Sequence, residues 1–140
     1  MRTLPIFFII VLIASSILVS QSIQNEKGIE TYIQNSIPYI GTEIPRTQGF
    51  DGTGIKIAVI DTGVDFNHPD LFGWGPDGKV IGGHNFIQTD QLPLDKEGHG
   101  TKVAGIIAAD GYTLGVAPKA KILAYKVSED GEGVSSELIS

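Results

Sequence analysis

The chain of 140 residues is 41% hydrophobic and 19% charged, a balance that excludes fibrous and disordered chains and suits one small globular domain or a piece of a larger one. Ten basic residues against sixteen acidic ones leave a formal charge of −6, so no basic stripe is available to displace counterions, and nucleic acid is excluded as a partner. The absence of cysteine excludes disulfides, thiol nucleophiles and thiolate metal sites together.

The first element is not part of a fold. Arg2 precedes an apolar run from Leu4 to Val19, broken only by Pro5, Ala14 and Ser15-Ser16, and Ser20-Gln21-Ser22 fits the small-x-small pattern before a cleavage point. Residues 1–22 therefore read as a signal peptide, and the protein as secreted, extracellular or of the cell envelope. The run is shorter than the about 20 residues of a comfortable membrane span. An uncleaved anchor is the alternative, and the one route by which the chain would touch a membrane.

Residues 23–48 form a short N-terminal arm. Ser36 to Gly41 is expected to be extended, since proline disfavours helix in the residue before it. Phe50-Asp51-Gly52-Thr53-Gly54 signals a tight turn. Ile55 to Ile60 is short, β-branched and apolar but for Lys56, the pattern of a strand buried on both faces of a parallel sheet. From Val64 to Pro93, Gly, Pro, Asn and Asp predict loops around one weak strand, Lys79 to Ile87, with Trp74 packing a loop. Thr101 to Ala109 reads as a helix packed through Ala104, Gly105, Ala108 and Ala109 and closed by Asp110-Gly111. Gly115 to Pro118 is a turn, and Lys121 to Val127 a second convincing strand. Strand, helix and strand in that order predict an α/β fold with a parallel sheet.

Two features carry chemistry. Asp61-Thr62-Gly63 ends the first apolar strand, and in open α/β sheets the carboxyl ends of the strands face the ligand crevice. Taken alone, Asp61 reads equally as a turn aspartate capping its own backbone. Gly98-His99-Gly100-Thr101 opens the helix. A helix N-terminus by itself disfavours an imidazolium, so a base at His99 gains from a carboxylate that stabilises its charged form, and Asp61 is the candidate. Carboxylate on a strand end, then imidazole on a helix start, is the order of an Asp–His–Ser triad of the subtilisin type.

The blocks around these residues resemble the subtilase family, peptidase family S8. Ile57 to Asp65, followed by His68-Pro69-Asp70-Leu71, resembles its aspartate block, and Gly98 to Gly105 its histidine block. Gly115 to Pro118 and Ala120 to Val127 are similar to the segment that follows. The resemblance implies a subtilisin-like parallel sheet flanked by helices, of which residues 49–140 supply the N-terminal portion. It implies a serine endopeptidase acting on protein or peptide substrates, with Asp61 and His99 as two triad members. Asp130 to Gly133 is similar to the family's stretch that pairs with the substrate backbone, which makes Gly131, Glu132 and Gly133 candidate substrate-binding residues.

Three departures accompany the resemblance. Lys102 stands where the family usually has a second histidine. The loop from Asp110 to Leu114 is shorter than the family's calcium-binding loop; Asp70 matches its calcium-ligand aspartate, but no cofactor or metal is assigned, and structural calcium is left open for the full-length enzyme. The Gly-Thr-Ser block and the oxyanion asparagine block have no counterpart in these residues, and Ser128, Ser135, Ser136 and Ser140 lie too close to the second strand to replace the nucleophile. The chain alone is therefore expected to be inactive. The arm is too short for the family's inhibitory propeptide, so the enzyme is expected either to fold without one or to extend beyond this sequence.

Rival readings remain. An aspartic peptidase also uses an apolar-apolar-Asp-Thr-Gly motif, one copy per subunit of a dimer sharing two carboxylates. A truncated, non-catalytic subtilase module or pseudoenzyme is the other. A metal site from His68, Asp70, His84 and His99 lacks the i, i+4 helical spacing of a zinc motif. Gly52-Thr53-Gly54 precedes its strand and so is no phosphate cradle.

Overall fold

The computed structural model describes residue 37 and residues 39–132. The leader at 1–22, most of the arm at 23–48, Gly133, Ser135, Ser136 and Ser140 lie outside the described residues. In chain order the elements are α1 (Glu43–Thr47), β1 (Lys56–Asp61), β2 (Val80–Asn85), α2 (His99–Ala108) and β3 (Lys121–Lys126). The strands form one parallel sheet in the order β1-β3-β2, so the fold is the expected α/β type. Parallel strands cannot be joined by a tight hairpin. The helix α2 supplies the crossover into β3, which takes the central place.

Register decides where the strands end together. Asp61 of β1 and Asn85 of β2 both stand level with Lys126 of β3. The carboxyl ends of all three strands therefore open on one side, the side from which α2 begins its return. The helix starts two residues earlier than its composition suggests, at His99, because donors at its first turn find partners outside the helix, as described below.

The core lies between α2 and one sheet face. Val59, Ile122 and Ala124 from the strands meet Ala104 and Ala108 of α2, with Val64, Phe66, Leu71 and Val80 from the intervening loops and β2. Gly100, Ala104 and Ala108 are the buried helical residues, spaced by four, so the stripe facing the sheet is made of small side chains. That lets the helix approach closely. Burying Val59 or Ile122 fully contributes about 1.5–3 kcal/mol each in apolar transfer. Trp74 packs on this core through Phe66, ring centroids 5.3 Å apart and planes tilted by 55°, so its role is loop packing as expected.

Two expectations are corrected. The first strand is not buried on both faces: Val59 points into the core, while Ala58 and Ile60 on the opposite face are exposed, Ile60 by 66%. Side chains alternate across a strand, and among the described residues α2 covers one face of β1 only. The described residues of Ser36 to Gly41 are not extended either. Tyr39 is helical, residues 40–42 turn, and α1 follows at Glu43–Thr47. Thr42 Oγ1 donates to the carbonyl of Ile37 (3.1 Å) and so closes this turn on the chain before it. Ile37, which precedes Pro38, is itself helical, so the bias of a pre-proline residue against helix is overridden here.

The remaining turn expectations hold. Asp51 Oδ1 accepts from the amide and hydroxyl of Thr53 (2.9 and 2.7 Å), folding the chain sharply before β1. After α2, the amides of Gly115, Val116 and Ala117 donate to the carbonyls of Ala109, Ile106 and Ile107, which satisfies the helix end that would otherwise be left orphaned. Among the described residues no helix is long and apolar enough to cross a membrane.

Candidate active site

Asp61 is the last residue of β1 and His99 the first of α2, 38 positions apart in sequence. The fold brings them into direct contact. His99 Nδ1 lies 2.8 Å from Asp61 Oδ1 and 3.0 Å from Oδ2. A carboxylate only accepts, so Nδ1 carries the proton and the tautomer leaves Nε2 with its lone pair. Asp61 is largely enclosed, its side chain 16% exposed, whereas the imidazole is 63% exposed. The carboxylate is thus part of the frame, and the ring is the accessible member.

The electrostatics follow from this contact. The hydrogen bond and the negative charge of Asp61 raise the His99 pKa above its ordinary value; slight desolvation opposes them, Glu97 adds to the rise and Lys102 counters it. A helix start alone would push the imidazole the other way. The partner carboxylate outweighs it.

Close approach at this junction requires glycine. A Cβ at Gly100 would collide with the carbonyl oxygen of Gly63 and stand 3.1 Å from Asp61 Cβ. Backbone therefore lies directly on the strand tip at the residue after His99. Gly98, at φ 106°, turns the chain through the left-handed region into α2.

The first turn of α2 has no capping side chain at Gly98, yet each of its leading amides has a partner. His99 N donates to Glu97 Oε2 (2.7 Å), Gly100 N to Thr62 Oγ1 (3.0 Å) and Thr101 N to Asp95 Oδ2 (2.9 Å). Asp95 also accepts from Glu97 N, Gly98 N, Thr62 Oγ1 and Thr101 Oγ1. The sequence reading passed over Asp95 and Thr62. The signal available was an aspartate four residues before His99, but nothing in the sequence says that its partner is Thr62. Lys126 was passed over too; it is buried (1% exposed), and its Nζ donates to the Thr62 carbonyl (2.8 Å) while pairing with Glu129 (3.1 Å).

The candidate substrate residues are only partly assembled. Gly131 lies beside the junction, where a Cβ would stand 3.6 Å from Thr62 Cγ2. Glu132 is exposed. Both belong to a turn: Gly131 N donates to Ser128 Oγ (2.9 Å) and Glu132 N to Asp130 Oδ1 (3.1 Å). These amides serve the turn. Ser128 is buried and holds this turn, its hydroxyl also donating to Asp130 Oδ1 at 3.3 Å.

Asp70 is buried, and its two oxygens accept from Tyr112 N (2.7 Å) and Thr113 N (3.2 Å). Amide donors point at the carboxylate where a cation would need acceptor oxygens. Among the described residues no three His, Cys, Asp or Glu side chains group to hold a metal. The donor set at Asp70 does not fit a calcium ion, and the short loop is closed by hydrogen bonds instead.

The comparisons with known proteins agree with this fold. The family model described as Subtilase family, Peptidase S8, matches residues 52–140. The minor extracellular protease Vpr of Bacillus subtilis (strain 168) is 40% identical over 129 residues, covering 83% of this chain and 15% of that protein. Thermitase of Thermoactinomyces vulgaris is 48% identical over 103 residues, covering 69% of this chain and 35% of that protein. Among solved structures, that of a cold-adapted subtilisin-like serine proteinase matches with a TM-score of 0.54 at 40% identity, covering 64% of this chain and 31% of that one. The chain thus spans well under half the length of these relatives. With its family blocks, its parallel sheet and its paired Asp61 and His99 in agreement, the chain belongs to the subtilase family.

Proposed function

We propose that this chain carries the acid–base half of a serine endopeptidase that hydrolyses peptide bonds of proteins or peptides. The observation that supports this most is the contact of His99 Nδ1 with Asp61 at 2.8 Å, on a strand end and a helix start whose family blocks match. In the reaction, a serine outside the described residues attacks the scissile carbonyl carbon. Its proton passes to His99 Nε2, and His99 then returns that proton to the leaving amine nitrogen. Water hydrolyses the acyl-enzyme by the same route, with His99 again as base and then acid. Asp61 holds the tautomer and stabilises the imidazolium as it forms. Gly131, Glu132 and Gly133 receive the substrate backbone.

The setting of the carboxylate argues against the aspartic-peptidase reading. Asp61 faces an imidazole, whereas two aspartates sharing a proton need a second carboxylate there. The apolar run at 4–19 and the extracellular relative support export; residues 1–22 are read as the leader and residues 49–140 as peptidase domain. The experiment is inhibition of peptide hydrolysis by the full-length protein. A serine-directed fluorophosphonate is expected to abolish it and pepstatin to leave it intact. The opposite pattern overturns the proposal.

A further inference from the structure

Asp95 stands four residues before His99 and is buried, 8% exposed. It takes no part in the proton transfers above, yet its carboxylate accepts five hydrogen bonds drawn from the segments just after Asp61 and around His99. Thr62 Oγ1, on the residue after Asp61, donates to Oδ1 at 2.9 Å. Glu97 N and Gly98 N donate to the same oxygen at 3.0 and 2.9 Å. Thr101 N and Thr101 Oγ1 donate to Oδ2 at 2.9 and 2.5 Å.

The direction of these bonds matters. A hydroxyl has one proton. Thr62 gives that proton to Asp95, so its oxygen is left to accept the amide of Gly100 at 3.0 Å. The residue after Asp61 and the residue after His99 are thereby joined through one hydroxyl whose orientation Asp95 sets. Thr101 repeats the device: its hydroxyl donates to Asp95 and accepts from Asp65 N at 2.9 Å, tying the helix to the chain beyond the strand tip. Burial disfavours the Asp95 anion, but the hydrogen bonds from Thr101, Gly98 and Thr62 outweigh it and hold the carboxyl below its ordinary pKa. It is ionised wherever the imidazole titrates.

We propose that Asp95 is a positioning residue. Acting through Thr62 and Thr101, it sets the separation and angle of the Asp61 carboxylate and the His99 imidazole. The proposal rests on the reading of those two residues as the catalytic pair. A residue that merely holds the fold together would change stability and leave the imidazole alone, and the two roles separate on that point.

The test measures the His99 pKa by heteronuclear NMR, and kcat and KM on a peptide substrate, in the full-length protein. In Asp95→Asn one of the two acceptor oxygens becomes an NH2 donor, so the donors on that side, either those at Oδ1 or those from Thr101 at Oδ2, lose their acceptor and face a second donor. The His99 pKa is expected to fall towards 6.5, and kcat to fall by about 10- to 100-fold with KM within about 2-fold, the scale of a small misplacement in a catalytic pair. Thr62→Val removes the hydroxyl link at nearly constant volume and should shift both readouts in the same direction, while Thr62→Ser, which keeps the hydroxyl, restores them. Glu97 and Lys102, the other charged groups that bear on His99, are left in place throughout. Should Asp95→Asn fail to fold, the two Thr62 variants decide. Folded variants that lose thermal stability yet keep the His99 pKa and kcat overturn the positioning role. The Asp61→Asn variant separates the two readings: if it too leaves the His99 pKa and kcat unchanged, the catalytic pair itself is wrong.

Discussion

Two corners of the molecule are each built on a buried aspartate, and they do different things. At one, Asp70 accepts from the amides of Tyr112 and Thr113, and its own amide donates to His68 Nδ1 at 3.2 Å. At the other, Asp95 gathers donors from the strand tip and the helix start. Each carboxylate satisfies backbone amides that would otherwise be buried and unpaired. The donors at Asp70 all come from one short loop, so the result is a closed loop. Those at Asp95 come from the segments adjoining Asp61 and His99, so the same chemistry bears on the reactive pair. What a buried carboxylate does in a fold depends on what its donors are attached to.

The comparison is tested most strongly at the pair itself. Asp61→Asn should lower kcat in the full-length protein by about four orders of magnitude, since the amide favours the wrong imidazole tautomer. Steady-state hydrolysis of a peptide substrate reads this directly, and turnover near the wild-type value would remove Asp61 from the proposed triad.

A smaller effect is expected at the other corner. Asp70→Ala leaves two loop amides without partners and should cost about 1–3 kcal/mol, measured by urea unfolding. The His99 pKa should not move. If it does, the two corners are coupled and the contrast between them fails. Hydrogen exchange of the Tyr112 and Thr113 amides should be unaffected by a calcium chelator, because both Asp70 oxygens already accept from those amides.

The smallest effects concern pH. His99 has a folded pKa raised above 6.5 by Asp61. Its contribution to stability is therefore fully present below 6.5 and lost as pH rises through the folded value. Catalysis runs the other way, since the base must be neutral, and kcat should climb over that same interval above 6.5. Asp95 has a folded pKa held below 3.8. Its contribution is present above 3.8 and lost as pH falls through the folded value, so mild acid above 3.8 should leave the junction intact. Amide exchange at Gly100 and Thr101 as a function of pH checks this; loosening that begins well above 3.8 would contradict it.

Much of the architecture was legible in the sequence because it is encoded locally. The apolar run before Asp61, the small-residue helix after His99 and the strand from Lys121 each carry their own periodicity. Their boundaries moved by one or two residues, most at His99, where partners from other segments extend the helix backwards. The described residues just before α1 were misread because the pre-proline bias against helix at Ile37 is outweighed where Thr42 closes a turn onto the Ile37 carbonyl.

By itself, the sequence determined which groups stand at a strand end and at a helix start, and hence the family to which the chain belongs. Those are matters of neighbouring residues and their spacing. Only the tertiary structure decided that Asp61 and His99 touch, that Asp95 reaches both through Thr62 and the first turn of α2, and that Asp70 faces amides. Each of these contacts spans loops whose path is set by packing against the common core, and hydrogen-bond direction at a hydroxyl has no expression in sequence until its two partners are in place.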